Sequence, residues 1–238
     1  MTYSDFLASG FLGRIEYSVD TPVWIPMVIL GAALLVAAAV GYFLGSLNFG
    51  VILSSKLYHD DIRQHGSGNA GMTNMLRTYG LKAAALTLLG DAGKAVISVF
   101  VGFALYGRLA ACIAGLFCIV GHIFPIYYQF KGGKGVVTSI VMILSLYPLV
   151  GLILLVIFAL IVLGTKYISL GSVMCALIYP LILSRVYQPN IIELVCAFLV
   201  LGLVVFMHRS NIKRLQQGKE NKISIGGKKQ SEDKNEQK

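Results

Sequence analysis

Long apolar runs separated by short polar segments follow one another along the chain as far as Met207. Runs of about 20 apolar residues are typical of helices that cross a bilayer. The pattern therefore predicts an all-α integral membrane protein. The runs cover residues 24–43, 83–106, 109–128, 136–164, 168–183 and 191–207.

The run at 136–164 is too long for one upright span. A helix of this length would reach about 44 Å, whereas the hydrocarbon core of a bilayer is about 30 Å thick. Tyr147–Pro148 lies near its middle, and proline is favoured in the first turn of a helix. Apolarity alone leaves two interpretations open, two short spans or one long tilted span.

The distribution of Lys and Arg favours two spans. With two, Lys131 and Lys134 lie on the same side as the basic residues after His208, and with one they lie on the opposite side. Cytoplasmic loops of membrane proteins are enriched in Lys and Arg. The sequence therefore predicts seven transmembrane helices, with an extracytoplasmic N-terminus and a cytoplasmic C-terminus. Only three basic side chains are then outside, those of Arg14, Arg108 and Arg185.

Composition divides the chain into three parts. Residues 1–23 are an N-terminal extension, residues 24–222 form the membrane domain, and residues 223–238 are a basic tail predicted to be disordered. The net charge is +9, and nine of the 20 Lys and Arg follow His208. Such a juxtamembrane cluster indicates orientation and contact with anionic headgroups rather than nucleic-acid binding. The four cysteines lie within apolar runs and form no C-x-x-C pair, so no metal site or disulfide is expected.

Three polar segments share the predicted cytoplasmic face. The first, residues 61–74, has glycines that free backbone N–H groups to form an anion nest, beside the planar guanidinium of Arg63. Ser67, Asn69 and Asn74 add neutral hydrogen-bonding groups. A glycine-rich turn between membrane helices is the alternative interpretation. The spacing also fits G-x-G-x-x-G, but no strand precedes it, so a dinucleotide fold is rejected.

The second segment, residues 130–138, opens a helix with Lys131, Gly132, Gly133, Lys134 and Gly135. Its N–H groups, helix N-terminus and lysines favour an anion, although flexible glycines in a positive loop would give the same composition. His122, just before it, is either a structural hydrogen-bonding residue or a ligand.

The third segment begins at His208 and Arg209. On a helix that continues the last span, His208 and Asn211 share a face. A basic juxtamembrane cap is the alternative. Within the membrane, Asp91 and Lys94 are three residues apart and are interpreted as a structural pair, and Glu193 lies near an outer helix end.

Together these segments resemble the PlsY family, the bacterial acyl-phosphate-dependent glycerol-3-phosphate acyltransferases. The resemblance runs from about residue 39 to residue 223 and rests on Gly45–Ser46 with residues 61–74, on residues 121–138, and on residues 208–220. The chain departs from the family pattern at Asn48, Met72 and Val137, which concerns local packing. The first 20 or so residues are an extension that the usual family member lacks.

The resemblance implies transfer of a fatty acyl group from acyl phosphate to the sn-1 hydroxyl of glycerol 3-phosphate, at a bacterial plasma (inner) membrane, without metal or cofactor. It also implies an acyl-phosphate-producing enzyme as a partner. Both substrates carry phosphate, which fits two anion-binding segments on one face. The catalytic residues it implies are Ser46, Arg63, Lys134, His208 and Asn211. The substrate-binding residues it implies are Ser67, Asn69, Asn74, Lys131, Gly132, Gly133, Gly135, Thr138 and Arg209. Glu220 is expected to be a structural tie.

Two other classes are weighed. A transporter for a phosphorylated anion would have its site near the membrane midplane, whereas the cations here lie almost entirely on one face. A metal-dependent phospho-alcohol transferase would need clustered aspartates, and only Asp60 and Asp61 are adjacent. No His-x-x-x-x-Asp pattern follows any histidine, so the general base for the hydroxyl is not identified.

Overall fold

The computed structural model describes residues 10–14 and 22–223, and the regular elements of this part of the chain are all helices. The all-α class predicted from the apolar pattern is therefore confirmed. The helices are α1 Trp24–Ser46, α2 Phe49–Tyr58, α3 Met72–Tyr79, α4 Leu81–Ile123, α5 Val136–Leu146, α6 Pro148–Thr165, α7 Ile168–Val186, α8 Ile191–Met207 and α9 Arg209–Gln216. Three-residue 3-10 helices lie at Leu12–Arg14, Ile62–Gln64 and Ile126–Tyr128.

Helix α4 is broken near its middle, as the sequence predicts. Tyr106 and Gly107 have non-helical backbone angles, and Gly107 has a φ of +61°, which glycine adopts without strain. A Cβ on Gly102 would lie 2.4 Å from the Cα of Ala111, so the two arms pack closely against each other. These are called the first arm (81–105) and the second arm (108–123).

The long apolar run at 136–164 is also broken. Helix α5 ends at Leu146 and α6 begins at Pro148, with the proline in its first turn. The predicted division at Tyr147–Pro148 is confirmed. The run predicted to continue to Tyr128 stops earlier, because α4 ends at Ile123 and Pro125 disfavours a helical Phe124.

Four stretches of the described chain are long and apolar enough to cross a membrane by themselves: Trp24–Tyr58, Leu81–Tyr128, Pro148–Thr165 and Ile168–Val186. Helices α8 and α9, bent by 57°, make a fifth if they are taken as one span. Helix α5 has only 11 residues. The seven spans and the orientation of the termini stay predictions.

Small residues let α1 lie directly against the second arm of α4. A Cβ on Gly41 would lie 2.2 Å from the carbonyl oxygen of Ala114, and one on Gly45 would lie 2.2 Å from that of Cys118. Both contact positions move four residues towards the C-terminus from the first pair to the second, so α1 and the second arm of α4 run parallel. Close backbone approach of this kind holds helices together in lipid, where apolar burial drives association weakly.

Part of the predicted N-terminal extension lies on the break in α4. The backbone N–H of Phe11 donates to the carbonyl of Ala104 at 2.8 Å, and Gly10 packs against the backbone of Gly107. The rest of the extension before Pro22, and the tail from residue 224 onward, lie outside the described residues.

Candidate active site

The loop between α2 and α3 is organised by Asn74. Its Nδ2 donates to the carbonyls of Ile62 at 3.1 Å and His65 at 2.8 Å, while its Oδ1 accepts from the N–H of Ser67 at 3.0 Å. The side chain is 2% exposed. Asn74 therefore shapes the loop from beneath, whereas Ser67 is exposed and Asn69 is half-buried.

Arg63 joins this loop to the next one. Its Nε lies 3.0 Å from both carboxylate oxygens of Asp61, and its Nη2 lies 2.7 Å from Oδ2. Nη1 donates across to the carbonyls of Tyr128 at 2.9 Å and Lys131 at 3.4 Å. The hydrogen bond from Arg63 holds the pKa of the Asp61 carboxyl below its ordinary value.

A polar cavity of about 400 Å³ lies where the two loops meet. Cations from both loops face it, so it suits an anion of the size of a small phosphorylated molecule. The lining residues are Asp61, Arg63, Gln64, Gly68, Gln129, Lys131 and Gly132.

The glycine loop, residues 131–135, is held by the end of α4. The N–H groups of Gly132 and Gly133 donate to the carbonyls of Ile123 at 3.1 Å and His122 at 3.0 Å. Gly135, with a φ of +77°, turns the chain into α5. The hydroxyl of Thr138, which is fully buried, donates to the carbonyl of Gly135 at 3.0 Å, so Thr138 supports this turn.

Lys134 connects the glycine loop to the third polar segment. Its ammonium donates to Oδ1 of Asn211, whose Nδ2 donates to Glu220 at 2.6 Å. Glu220 also accepts from Ser169 at 2.8 Å and from Arg214 at 2.7 Å. The predicted role of Glu220 as a structural tie fits this geometry, since its carboxylate connects α7, α9 and the segment after α9.

Charge at this junction is tuned by burial. Removal from water lowers the pKa of Lys134 from its ordinary 10.5 to about 8, and the negative charge of Glu220 opposes this only in part. Burial also acts against the charged form of Glu220, but its hydrogen bonds from Asn211, Ser169 and Arg214 outweigh that effect and lower its pKa. Lys134 is therefore a cation whose charge a bound anion would stabilise.

Ser46 and His208 are both buried at helix ends. The hydroxyl of Ser46 donates to the carbonyl of Tyr42 at 2.8 Å and accepts from the N–H of Ile126 at 3.4 Å. Nδ1 of His208 lies 2.8 Å from the carbonyl of Val204. Arg209, by contrast, is exposed, and its guanidinium lies 4.4 Å from the ring centroid of Phe206.

The structure thus brings the first two segments together at the cavity and joins the second to the third through Lys134 and Asn211. The predicted residues Ser46, Ser67, Asn69, His208 and Arg209 lie outside these contacts. The Asp60 network was missed: its Oδ2 accepts from the hydroxyl of Tyr79 and lies 2.7 Å from Nε2 of His65. In the sequence, the adjacent Asp60 and Asp61 were considered only as possible metal ligands, and nothing predicted the contacts with Tyr79 and His65.

The predicted Asp91–Lys94 pair is confirmed, with Nζ and Oδ1 2.8 Å apart. The sequence did not predict that Lys94 also donates to the carbonyls of Gly45 and Leu47, which flank Ser46. A lysine within an apolar run was the available signal, but backbone acceptors on another helix leave no mark in a sequence.

Comparison with known proteins agrees with this architecture. Residues 35–218 match the family model described as glycerol-3-phosphate acyltransferase. A glycerol-3-phosphate acyltransferase of Finegoldia magna is 45% identical over 194 residues, which cover 80% of this chain and 96% of the relative. One of Neisseria meningitidis serogroup C is 40% identical over 192 residues, 79% of this chain and 96% of the relative.

A solved structure has the same fold. The crystal structure of PlsY (YgiH), an integral membrane glycerol 3-phosphate acyltransferase, in its glycerol 3-phosphate form, is 32% identical with a TM-score of 0.76. The match covers 80% of this chain and 96% of that one. The lysophosphatidic acid form of PlsY matches at 30% identity with a TM-score of 0.73, over 80% of this chain and 95% of that one.

Proposed function

This chain belongs to the glycerol-3-phosphate acyltransferase family, and from that premise we propose that it transfers a fatty acyl group from acyl phosphate to the sn-1 hydroxyl of glycerol 3-phosphate. The products are lysophosphatidate and inorganic phosphate. A relative of similar fold has been solved in glycerol 3-phosphate and lysophosphatidic acid forms, which supports this acceptor and this product.

The observation that carries the proposal is the junction of the two anion-suited loops. Arg63 bonds to the carbonyls of Tyr128 and Lys131, so the cations of both loops adjoin one cavity. Lys134, three residues after Lys131 in the glycine loop, adds a half-buried ammonium. Two phosphorylated substrates must approach each other despite their like charge, and clustered cations and N–H groups offset that repulsion.

The chemistry needs positioning more than activation. The hydroxyl oxygen of glycerol 3-phosphate attacks the carbonyl carbon of the acyl phosphate, a C–O ester bond forms, and the bond from that carbon to the phosphate oxygen breaks. The anhydride is already activated, and the leaving group is a stable anion. A substrate phosphate accepts the hydroxyl proton in this proposal, since the sequence has no His-x-x-x-x-Asp pattern to supply a base.

The site residues take the following proposed roles. Arg63, Lys131 and Lys134, with Gly132, Gly133 and Gly135, hold phosphate. Ser46 hydrogen-bonds the acyl phosphate or its carbonyl, and Asn211 orients Lys134. His208 completes the site beside the third segment. Ser67 and Asn69 present polar groups from a loop that Asn74 shapes, Thr138 supports the glycine loop, and Arg209 reaches phosphate at the membrane surface.

The proposed setting is the bacterial inner membrane. The chain crosses it seven times with the site on the cytoplasmic face, where an acyl-phosphate-producing enzyme supplies the donor. Breaks in α4 at Gly107 and between α5 and α6 at Tyr147 support this count, because each divides a stretch too long for one span.

Purified protein incubated with palmitoyl phosphate and glycerol 3-phosphate should release inorganic phosphate and form lysophosphatidate in equal amounts. Palmitoyl-CoA in place of palmitoyl phosphate should give no product. Absence of turnover with palmitoyl phosphate, or equal rates with the two donors, would defeat the proposal. Omission of glycerol 3-phosphate controls for hydrolysis of the donor.

A further inference from the structure

A buried polar cluster lies beneath the glycine loop. Asp91 and Lys94 come from the first arm of α4 and His122 from the end of the second, and each is 2–3% exposed. The cluster is built around the Lys94 ammonium. Intramembrane charges are costly and usually mark function, so the geometry of each contact matters.

All three hydrogens of the Lys94 ammonium are used. Nζ donates to the carbonyls of Gly45 at 2.9 Å and Leu47 at 2.7 Å, and its third contact is Nδ1 of His122 at 2.9 Å. Asp91 Oδ1 lies 2.8 Å away but accepts no hydrogen bond from any described residue. Asp91 therefore neutralises the charge, while the two carbonyls and the imidazole take the hydrogens.

This arrangement fixes which imidazole nitrogen carries the proton. An ammonium at 2.9 Å requires a lone pair on Nδ1, because an N–H there would point at three other hydrogens. The Asp91 carboxylate, which would accept from an Nδ1–H, is farther from Nδ1, at 3.5 Å. The neutral ring therefore carries its proton on Nε2.

Nε2 is directed at the glycine loop. A Cβ built on Gly133 would lie 2.0 Å from Nε2, so the edge of the ring contacts the backbone of Gly133. Any side chain at this position would clash with the ring. Within residues 10–14 and 22–223, Nε2 has no hydrogen-bond partner. Nε2 is not among the fully enclosed unpaired atoms of these residues, so it reaches the accessible surface, where its N–H can meet a ligand.

We propose that His122 is a further substrate-binding residue, whose Nε2–H donates to an anionic oxygen of the substrate at the glycine loop. Lys94 is its positioning residue, which fixes the imidazole tautomer and holds the backbone on both sides of Ser46. The inference rests on the proposed acyl transfer. The accepting oxygen belongs either to a phosphate group or to the attacked acyl carbonyl as negative charge develops on it.

Two side-chain amides separate the ring nitrogens. His122→Gln can place an amide N–H near the position of Nε2, whereas His122→Asn reaches only the position of Nδ1. At pH 7 we expect His122→Asn to lose about ten- to a hundredfold in kcat/KM, with His122→Gln recovering most of that loss. A raised KM for acyl phosphate or for glycerol 3-phosphate identifies a phosphate oxygen of that substrate, and a lowered kcat alone identifies the carbonyl.

Nitrogen-15 NMR of histidine-labelled protein measures the tautomer without turnover. The His122→Gln spectrum identifies the His122 signals by their absence. In the wild type we expect an unprotonated Nδ1, a protonated Nε2, and a shift of the Nε2–H signal on addition of inorganic phosphate, glycerol 3-phosphate or palmitoyl phosphate. Lys94→Met should mix the tautomers and lower kcat/KM.

A protonated Nδ1 in the wild type, or wild-type kinetics in a folded His122→Asn, would overturn the inference. Thermal unfolding midpoints separate loss of the donor from loss of the fold. If wild-type protein does not turn over acyl phosphate, the proposed function fails instead. The NMR arm then decides the inference: no Nε2–H response to inorganic phosphate, glycerol 3-phosphate or palmitoyl phosphate overturns it.

Discussion

At the residue scale, the site depends on cations held in unequal surroundings. Arg63 is paired with Asp61 and bonded to two carbonyls of the next loop. Lys134 is half-buried, and its hydrogen-bond partner is the amide oxygen of Asn211. The guanidinium therefore keeps its charge throughout the accessible pH range. The ammonium is the group whose charge changes under assay conditions.

For Lys134, we expect a pH-dependent KM. Its pKa is lowered to about 8, so the free enzyme loses this positive charge as pH rises through 8. Bound phosphate favours the protonated form, so KM for the substrate bound by Lys134 should rise above pH 8, by up to about tenfold per pH unit. Steady-state kinetics from pH 6.5 to about 9.5 would measure it.

The matched control for that profile is Lys134→Arg, because a guanidinium stays charged at these pH values. Its KM should be nearly constant over the same interval, even if it is higher at pH 7. A wild-type KM that does not change between pH 7 and about 9.5 would contradict a role for the Lys134 charge. Reactions without enzyme correct for alkaline hydrolysis of acyl phosphate.

For Arg63, we expect replacement by alanine to lower kcat/KM about ten- to a hundredfold, the effect of losing one charge-assisted hydrogen bond. Arg63→Lys should restore only part of the activity, since an ammonium cannot bind Asp61 and two carbonyls in one plane. Lys56→Ala removes an exposed cation from the last turn of α2 and should leave the rate unchanged. Equal rates for the Arg63→Ala and Lys56→Ala variants would remove Arg63 from the site.

At the element scale, the packing of α1 against the second arm of α4 depends on glycine. Gly41→Ala would place a methyl group 2.2 Å from the carbonyl oxygen of Ala114, which is backbone and can yield only if the helices separate. We expect destabilisation of about 1–3 kcal/mol, as is typical of overpacking. Thermal unfolding in detergent, followed by a dye that reacts with newly exposed cysteine, would measure it.

Gly31→Ala on the same helix is the control, because a Cβ there meets nothing within 4 Å. Its unfolding midpoint should match or slightly exceed that of the wild type, since alanine favours a helix more than glycine does. Equal midpoints for the two variants would show that α1 and the second arm of α4 are not in close contact.

The sequence was sufficient to predict where the long apolar runs break into separate helices, but not which groups contact each other in the site. The division at Tyr147–Pro148 followed from span length, a proline and the side on which Lys131 and Lys134 must lie. The bonds from Arg63 to the carbonyls of Tyr128 and Lys131 could not be predicted, because every residue carries a carbonyl and the partners are 65 and 68 positions away. Motifs located the site, and the tertiary fold decided which backbone groups complete it.

At the scale of the whole molecule, the proposed orientation puts position 108 outside the cell and position 219 in the cytoplasm. In a variant with the four native cysteines replaced by alanine, Arg108→Cys and Lys219→Cys would each carry a single exposed thiol. A membrane-impermeant maleimide should label position 108 only from outside the cell. It should label position 219 only in inverted vesicles. Labelling of both positions from the same side would exclude the seven-span arrangement.

The Lys94 contacts also have a consequence for the order of biosynthesis. Lys94 enters the bilayer on the first arm of α4. Its hydrogen-bond acceptors lie at the end of α1 and just after it, made earlier, and on the second arm, made later. Until all three segments meet, the ammonium has only Asp91 to offset its charge in hydrocarbon. The nascent first arm is therefore expected to wait at the insertion machinery until the second arm emerges, so that the segments partition into lipid together.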